Sequence, residues 1–312
     1  MTALALTLSP PQRRMPAALA GVLWGSVAVA IWGVYLAFAR ANVASGVLPA
    51  DLTFVRYMTA GLVMLPYLAR RGVSDAGGVS WSRAIALAML AGPLFLLASA
   101  SGFRFAPLAH GAVLQPAALT IGGLLLSAAV LGDRLTRWRI AGTAIIVAGL
   151  ILIAGPGVLS GGVGALRGDA LFALAGGMWA LFAVLSRRWN VAPMAATAAV
   201  AVISAAVYSP VYLATRGVAP LLAQPLSLLA EQVVVQGVLS GIVAVFAFGR
   251  AVELLGAARA AALPALVPVV ATLIGIPVTG ELPGSLQVAG LVVVTLGLFA
   301  TQRSTLRNGD LT

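Results

Sequence analysis

Six side chains have the type and placement to recognise a polar solute: Trp32, Ser99, His110, Gln115, Trp179 and Ser240. All six fall within long apolar runs. A polar group there is costly unless it turns toward other helices or a watery cavity. Gln115 lies about eight residues into its run, or roughly 12 Å along a helix. Its amide offers both a donor and an acceptor, as a zwitterionic ligand needs; the competing role is a hydrogen bond between helices. Pro116 follows it and frees a carbonyl in the preceding turn, as a binding-site break or a plain kink would. Trp179 is about eleven residues into its own run, too deep for an interfacial belt. Trp32 and Trp179 therefore read as walls or gates of a cavity, or as packing between helices. Ser99 and Ser240 read as cavity hydroxyls, or as back-bonds to their own helices. His110, near the mouth of its run, offers a pH-sensing or ligand-contacting imidazole or a structural one.

This chemistry is recognition without bond breaking. The chain has no Cys and one His, so a thiol nucleophile is excluded and a zinc cluster is not expected. No Asp or Glu falls in the middle of an apolar run; Asp169 and Glu253 sit near the ends of theirs. No paired carboxylates and no carboxylate proton relay are visible. The expectation is a non-enzyme with no catalytic residue, cofactor or metal.

The elements that position these residues follow from composition. Of 312 residues, 61% are hydrophobic and 9% are charged. A soluble chain that apolar could not cover its own surface with polar groups, whereas lipid lets apolar side chains face outward. Ten spans are predicted: Ala17–Ala39, Leu52–Leu68, Ala84–Gly102, Pro107–Leu131, Trp138–Gly155, Ala170–Ser186, Thr197–Leu213, Gln232–Arg250, Ala257–Thr279 and Ser285–Thr301. Ser74-Asp75-Ala76-Gly77-Gly78 and the segment from Gly155 to Gly164 read as connections, and the stretch from Arg216 to Glu231 as the longest one. The first run continues past Ala28-Val29-Ala30 to Phe38, longer than a signal-peptide core, and reads as a retained span.

The net charge of +11 comes from 19 Arg and no Lys, scattered between apolar runs. That pattern lacks the basic face of a nucleic-acid binder. With the N-terminus in the cytoplasm, fourteen Arg fall on that side, from Arg13 and Arg14 to Arg303 and Arg307. Arg40, Arg104, Arg167 and Arg216 fall on the other. The bias places both termini inside. Arg56, four or five residues into the second span, is expected to reach the outer interface by snorkelling; contact with a solute carboxylate is the other role open to it.

The two halves resemble each other. Gly21, Trp32 and Arg40 match Gly168, Trp179 and Arg187 at an offset of 147. Pro116, Gly142 and Gly149 match Pro264, Gly290 and Gly297 at 148, and Gly132-Asp133 matches Gly280-Glu281. Asp133 and Glu281 read as structural groups, for example caps of the following helix. A five-span repeat crosses an odd number of times, so its second copy inserts upside down. The predicted fold is an all-α membrane protein of ten transmembrane helices, arranged as two inverted five-helix repeats around a central cavity. Residues 17–156 form the first repeat, 168–303 the second, and 1–16 and 304–312 short cytoplasmic tails. Inverted repeats are characteristic of transporters. Gln232, Gln236 and Ser240 form a polar stripe every four residues on the eighth span, and Thr197, Ser204, Tyr208 and Tyr212 a similar face on the seventh.

Leu131-Gly132-Asp133-Arg134-Leu135-Thr136, with the following span and its Gly142 and Gly149, resembles the EamA repeat of the drug/metabolite transporter superfamily. Ala257 to Glu281, with Pro268, resembles the same repeat's fourth span, and Ile31-Trp32-Gly33 and Met178-Trp179-Ala180 its first-span tryptophan motif. The resemblance runs from about Gly21 to Thr301. It implies a basket with spans one to four and six to nine lining the cavity and spans five and ten peripheral. It also implies a secondary transporter of the bacterial inner membrane, working by alternating access and exporting amino acids or related small metabolites. Its partners would be that small-molecule substrate and the lipid bilayer, with no nucleic acid. The chain is similar to aromatic amino acid exporters in length and in the tryptophans of spans one and six. It departs from them at Gln115, where they carry an aromatic residue before the fourth-span proline. Two other substrate classes are a nucleotide sugar and a phosphorylated metabolite, which call for several cavity Arg or Lys. An intramembrane enzyme would need a constellation such as Ser/His or paired Asp, and a channel a filter motif or acidic ring.

Overall fold

The computed structural model describes residues 16–71, 75–106, 108–159, 162–279 and 284–302. Arg13, Arg14, Ser74, Pro107, Gly280, Glu281, Arg303 and Arg307 lie outside them. Among the described residues there is no strand. The first five segments are α1 (Ala17–Ala44), α2 (Pro49–Arg71), α3 (Trp81–Ala91) continued by α4 (Pro93–Gly102), α5 (Leu108–Leu131) and α6 (Arg137–Leu159). The second five begin with α7 (Gly162–Arg188) and α8 (Pro193–Arg216). After the short α9 (Ala219–Leu222) comes a long composite: α10 (Leu226–Gln232), a π-helical stretch (Val233–Val243) and α11 (Ala244–Leu255). The ninth segment joins α12 (Ala257–Ala260), a 3₁₀ turn (Leu263–Leu266) and α13 (Val267–Thr279), and α14 (Ser285–Gln302) is the tenth. Seven of the segments carry a membrane-length apolar window, and shorter apolar helices run over Ala257–Ala271 and Val288–Gly297.

The packing obeys the inverted repeat. Segments two and seven, α2 and α8, pack on each other, as do five and ten, α6 and α14. Each remaining contact has its image: α5 against α7 mirrors α13 against α1, α4 against α7 mirrors α11 against α1, and α3 against α8 mirrors the π stretch against α2. The outward surface is apolar. Leu62, Met89, Leu125, Ile151, Leu174, Val207, Leu273 and Leu296 are all exposed, on eight different segments. Water would penalise that surface, and hydrocarbon does not.

Close approach between the halves depends on small residues. A Cβ on Gly290 would lie 2.7 Å from the carbonyl oxygen of Gly149, so α6 and α14 meet backbone to backbone. That is the small-residue packing helices use where no hydrophobic force drives them together.

Several boundaries differ from the sequence expectation. The third span breaks at Gly92, whose extended ψ of −147° precedes Pro93 at the first turn of α4. Proline supplies no N–H there and starts a helix without loss. The stretch from Arg216 to Glu231 is largely helical for the same reason: Pro220 opens α9, and Pro225 precedes α10. The sixth span starts at Gly162 instead of Ala170.

Candidate functional site

A cavity lies at the centre of the bundle, with about 460 Å³ of empty space including the part open to solvent. Only about 40 Å³ of it has room for the centres of water-sized spheres, so a solute larger than a few waters needs the walls to part. Its wall takes Trp32, Tyr35 and Leu36 from α1, Arg56 from α2 and Phe95 from α4. Gln115, Pro116 and Leu119 come from α5, Gly176 and Trp179 from α7, Ser240 from the π stretch, and Pro264 and Val267 from the ninth segment. Among the described residues, helices α6 and α14 contribute nothing, as the resemblance implied. Helix α8 contributes nothing either, against that implication, because it packs outside α2 and α3. Its Thr197, Ser204 and Tyr212 are nevertheless buried: Thr197 bonds back to its own helix, and Tyr212 donates to Asp51.

Four of the six candidates line this space: Trp32, Gln115, Trp179 and Ser240. The two indoles meet edge to face at 5.4 Å between ring centroids. Phe95 lies 4.7 Å from Trp179, and Phe248 5.1 Å from Trp32, so one side of the cavity is an aromatic box. The Trp179 indole is buried, yet its N–H has no acceptor among the described residues. Ser99 stands one layer back. Its hydroxyl donates to Gln115 Oε1 at 2.8 Å and lies 3.5 Å from the Tyr35 hydroxyl. The bond fixes the Gln115 amide with its NH₂ end free for other partners.

His110 is not in the cavity wall. Its Nδ1 is 2.6 Å from Asp169 Oδ1, which clasps the start of α5 to α7. The ring is 2% exposed and the carboxylate 18%.

Arg56 corrects the sequence reading. It does not snorkel to an interface; it is buried at 1% exposure and lines the cavity. Helix α2 starts at Pro49, so Arg56 lies three residues deeper in its helix than counted from Leu52. Its Nη1 donates to Ser240 Oγ at 2.7 Å and its Nη2 to the Ser240 carbonyl at 3.1 Å. The guanidinium carbon sits 5.6 Å from the Tyr35 ring centroid and 5.7 Å from that of Tyr57, within cation–π range. Its Nε is buried without an acceptor, and among the described residues no carboxylate pairs with it.

The π-helical stretch makes this geometry possible. Its Gly237 faces Thr59, and its Gly241 faces Ala60 and the Arg56 stem, with a Cβ on Gly241 reaching 3.5 Å from Arg56 Cγ. Two bare glycines let α2 lie close enough for Arg56 to reach a backbone carbonyl. Widened π turns tend to occur at functional sites. The expected polar stripe is present: Gln232, Gln236 and Ser240 are each 0% exposed. Gln236 keeps both amide atoms unpartnered, and Gln232 donates to Gln224.

Asp133 does not cap the following helix. Thr136 does, accepting from the Arg139 N–H at 3.4 Å, while Asp133 accepts from Arg187 at 3.3 Å.

Comparison with known proteins agrees with this arrangement. The sequence model of the EamA-like transporter family matches twice, over residues 19–155 and 166–302. No curated protein matches the chain. One solved structure, described only as the crystal structure of a protein, has 21% sequence identity and a TM-score of 0.71. The match covers 92% of this chain and 98% of that one. At that identity the likeness shows the fold alone.

Proposed function

The chain belongs to the EamA-like transporter family, and from that membership we propose that this multi-pass membrane transporter exports amino acids or related small carboxylate-bearing metabolites by alternating access. The observation that carries the substrate class is Arg56: a buried cation on the cavity wall with no carboxylate partner among the described residues. A buried charge is stable only when paired. A solute carboxylate supplies the missing charge, with Arg56 Nε and the Trp179 N–H as unused donors beside it. The aromatic box suits the rest of the molecule: ring faces take an apolar side chain by burial and an ammonium by cation–π attraction. Gln115 Oε1 retains a lone pair for a second donor after Ser99.

A single guanidinium favours a carboxylate over a phosphoryl group, which is usually met by several cations. Nucleotide sugars and phosphorylated metabolites are therefore the second reading. The fourteen-to-four Arg bias supports placement in a bacterial inner membrane with both termini cytoplasmic.

The test is counterflow of labelled amino acids in proteoliposomes, with Arg56→Gln alongside. Saturable exchange for one amino acid, lost in the variant, is expected. No saturable flux for any amino acid, or full flux in Arg56→Gln, overturns the substrate class.

A further inference from the structure

A second polar pocket lies at the end of the bundle where α6 begins and α7 and α11 end. It is lined by Asp133, Arg139, Arg187, Glu253, Gly256 and Arg259, among others. Three guanidiniums face two carboxylates. Glu253 is held by Arg250, outside the pocket. Asp133 is held by Arg187. Arg139 and Arg259 each keep a buried Nε with no acceptor. Arg139 donates from Nη1 to the Arg134 carbonyl, whereas Arg259 has no hydrogen-bond or ion-pair partner among the described residues. The turn is shaped to bring these charges together. Gly256 has φ of +85°, and a Cβ there would come within 2.5 Å of Arg187 Nη1. A side chain at position 256 would meet the Arg187 guanidinium and move it from its place in this pocket.

Like charges do not gather around a concavity without a counter-charge unless something else holds them. We propose that this pocket is an anion site, separate from the central cavity, that takes a phosphate-type group through Arg259, Arg139 and Arg187. The donor geometry fits: guanidinium forks match tetrahedral oxyanions in pairs. Four elements meet there: the α5–α6 connection, α6, the end of α7 and the α11–α12 turn. A bound anion ties the two repeats together at this end. The group can be free inorganic phosphate or the headgroup of an anionic lipid, which share this chemistry.

Delipidated protein in neutral detergent is titrated with inorganic phosphate against chloride at matched ionic strength. In parallel, nanodiscs of phosphatidylcholine with and without phosphatidic acid are compared by thermal unfolding. A saturable phosphate response, weakened about tenfold or more in Arg259→Gln and retained in Arg259→Lys, identifies a free-anion site. Stabilisation by phosphatidic acid alone, lost in Arg259→Gln, identifies a headgroup site. Asp133→Asn, which removes the competing carboxylate, should tighten the response, a gain that misfolding cannot imitate. No response in either arm, an equal response in wild type and Arg259→Gln, or no tightening in Asp133→Asn overturns the proposal. Central transport does not enter the readout, so failure of the substrate assignment at Arg56 leaves the result interpretable.

Discussion

Arg56 gives two of its guanidinium nitrogens to one residue: Nη1 to the Ser240 hydroxyl at 2.7 Å and Nη2 to the Ser240 carbonyl at 3.1 Å. The contact crosses from the first repeat to the second. It orients a cation in the cavity while leaving its third nitrogen unused. Arg56 and Ser240 should therefore behave as one unit. In a double-mutant cycle of Arg56→Gln and Ser240→Ala, the coupling should be on the order of 0.5–3 kcal/mol, read from flux or thermal unfolding. Strictly additive effects would show that the pairing is incidental.

Trp179→Phe separates the ring from its N–H. The ring packs against Trp32, Phe95, Phe182 and Phe248, so phenylalanine keeps most of the apolar contact. The N–H has no acceptor among the described residues, so losing that group by itself should cost little Tm. If it donates to the solute, kcat/KM falls about three- to tenfold. An unchanged kcat/KM would remove the indole from the recognition set.

The His110–Asp169 clasp predicts an unequal pair of variants. Asp169→Leu leaves a 2% exposed imidazole without its partner, whereas His110→Leu leaves a carboxylate that is 18% exposed and can rehydrate. Asp169→Leu should cost more, by about 1–3 kcal/mol for an unsatisfied buried group. Thermal unfolding of both variants in one detergent checks the order.

Gly290→Val tests the outer seam. Its new side chain would meet the Gly149 carbonyl and Ile153, which costs about 1–3 kcal/mol as overpacking. Among the described residues no cavity residue lies on α6 or α14, so Tm should fall while KM holds. A changed KM would mean that the seam and the cavity are coupled.

The ten spans and their inversion were legible because each leaves a signature along the chain. Arg marks segment ends, and matched Gly, Trp and Pro mark equivalent positions. Gln115, Trp32 and Trp179 were legible because depth in an apolar run is a linear count. Arg56 was not. Its fate turned on three residues of helix start and on a carbonyl offered by a π stretch in the other half. Neither Gly237 nor Gly241 announces that widening, since glycine pairs are common in these spans. For His110 the structural role is open in the sequence but the partner is not: Asp169 is 59 positions away, and its place near a span end does not announce the pairing. Single-chain patterns place a polar group at a depth without saying which neighbour it meets.

The clasp between His110 and Asp169 also breaks the symmetry of the two halves. By the repeat offsets, the equivalent positions are Ala258 and Val22, which can form no such bond. If the transport cycle exchanges the conformations of the repeats, its two end states are not mirror images in free energy. One carries the hydrogen-bonded clasp between segments four and six; the other meets alanine and valine at the matching place. Each 1.4 kcal/mol of that difference shifts the resting populations about tenfold. The empty carrier thus has a preferred side to wait on, set by two side chains that lie outside the cavity wall.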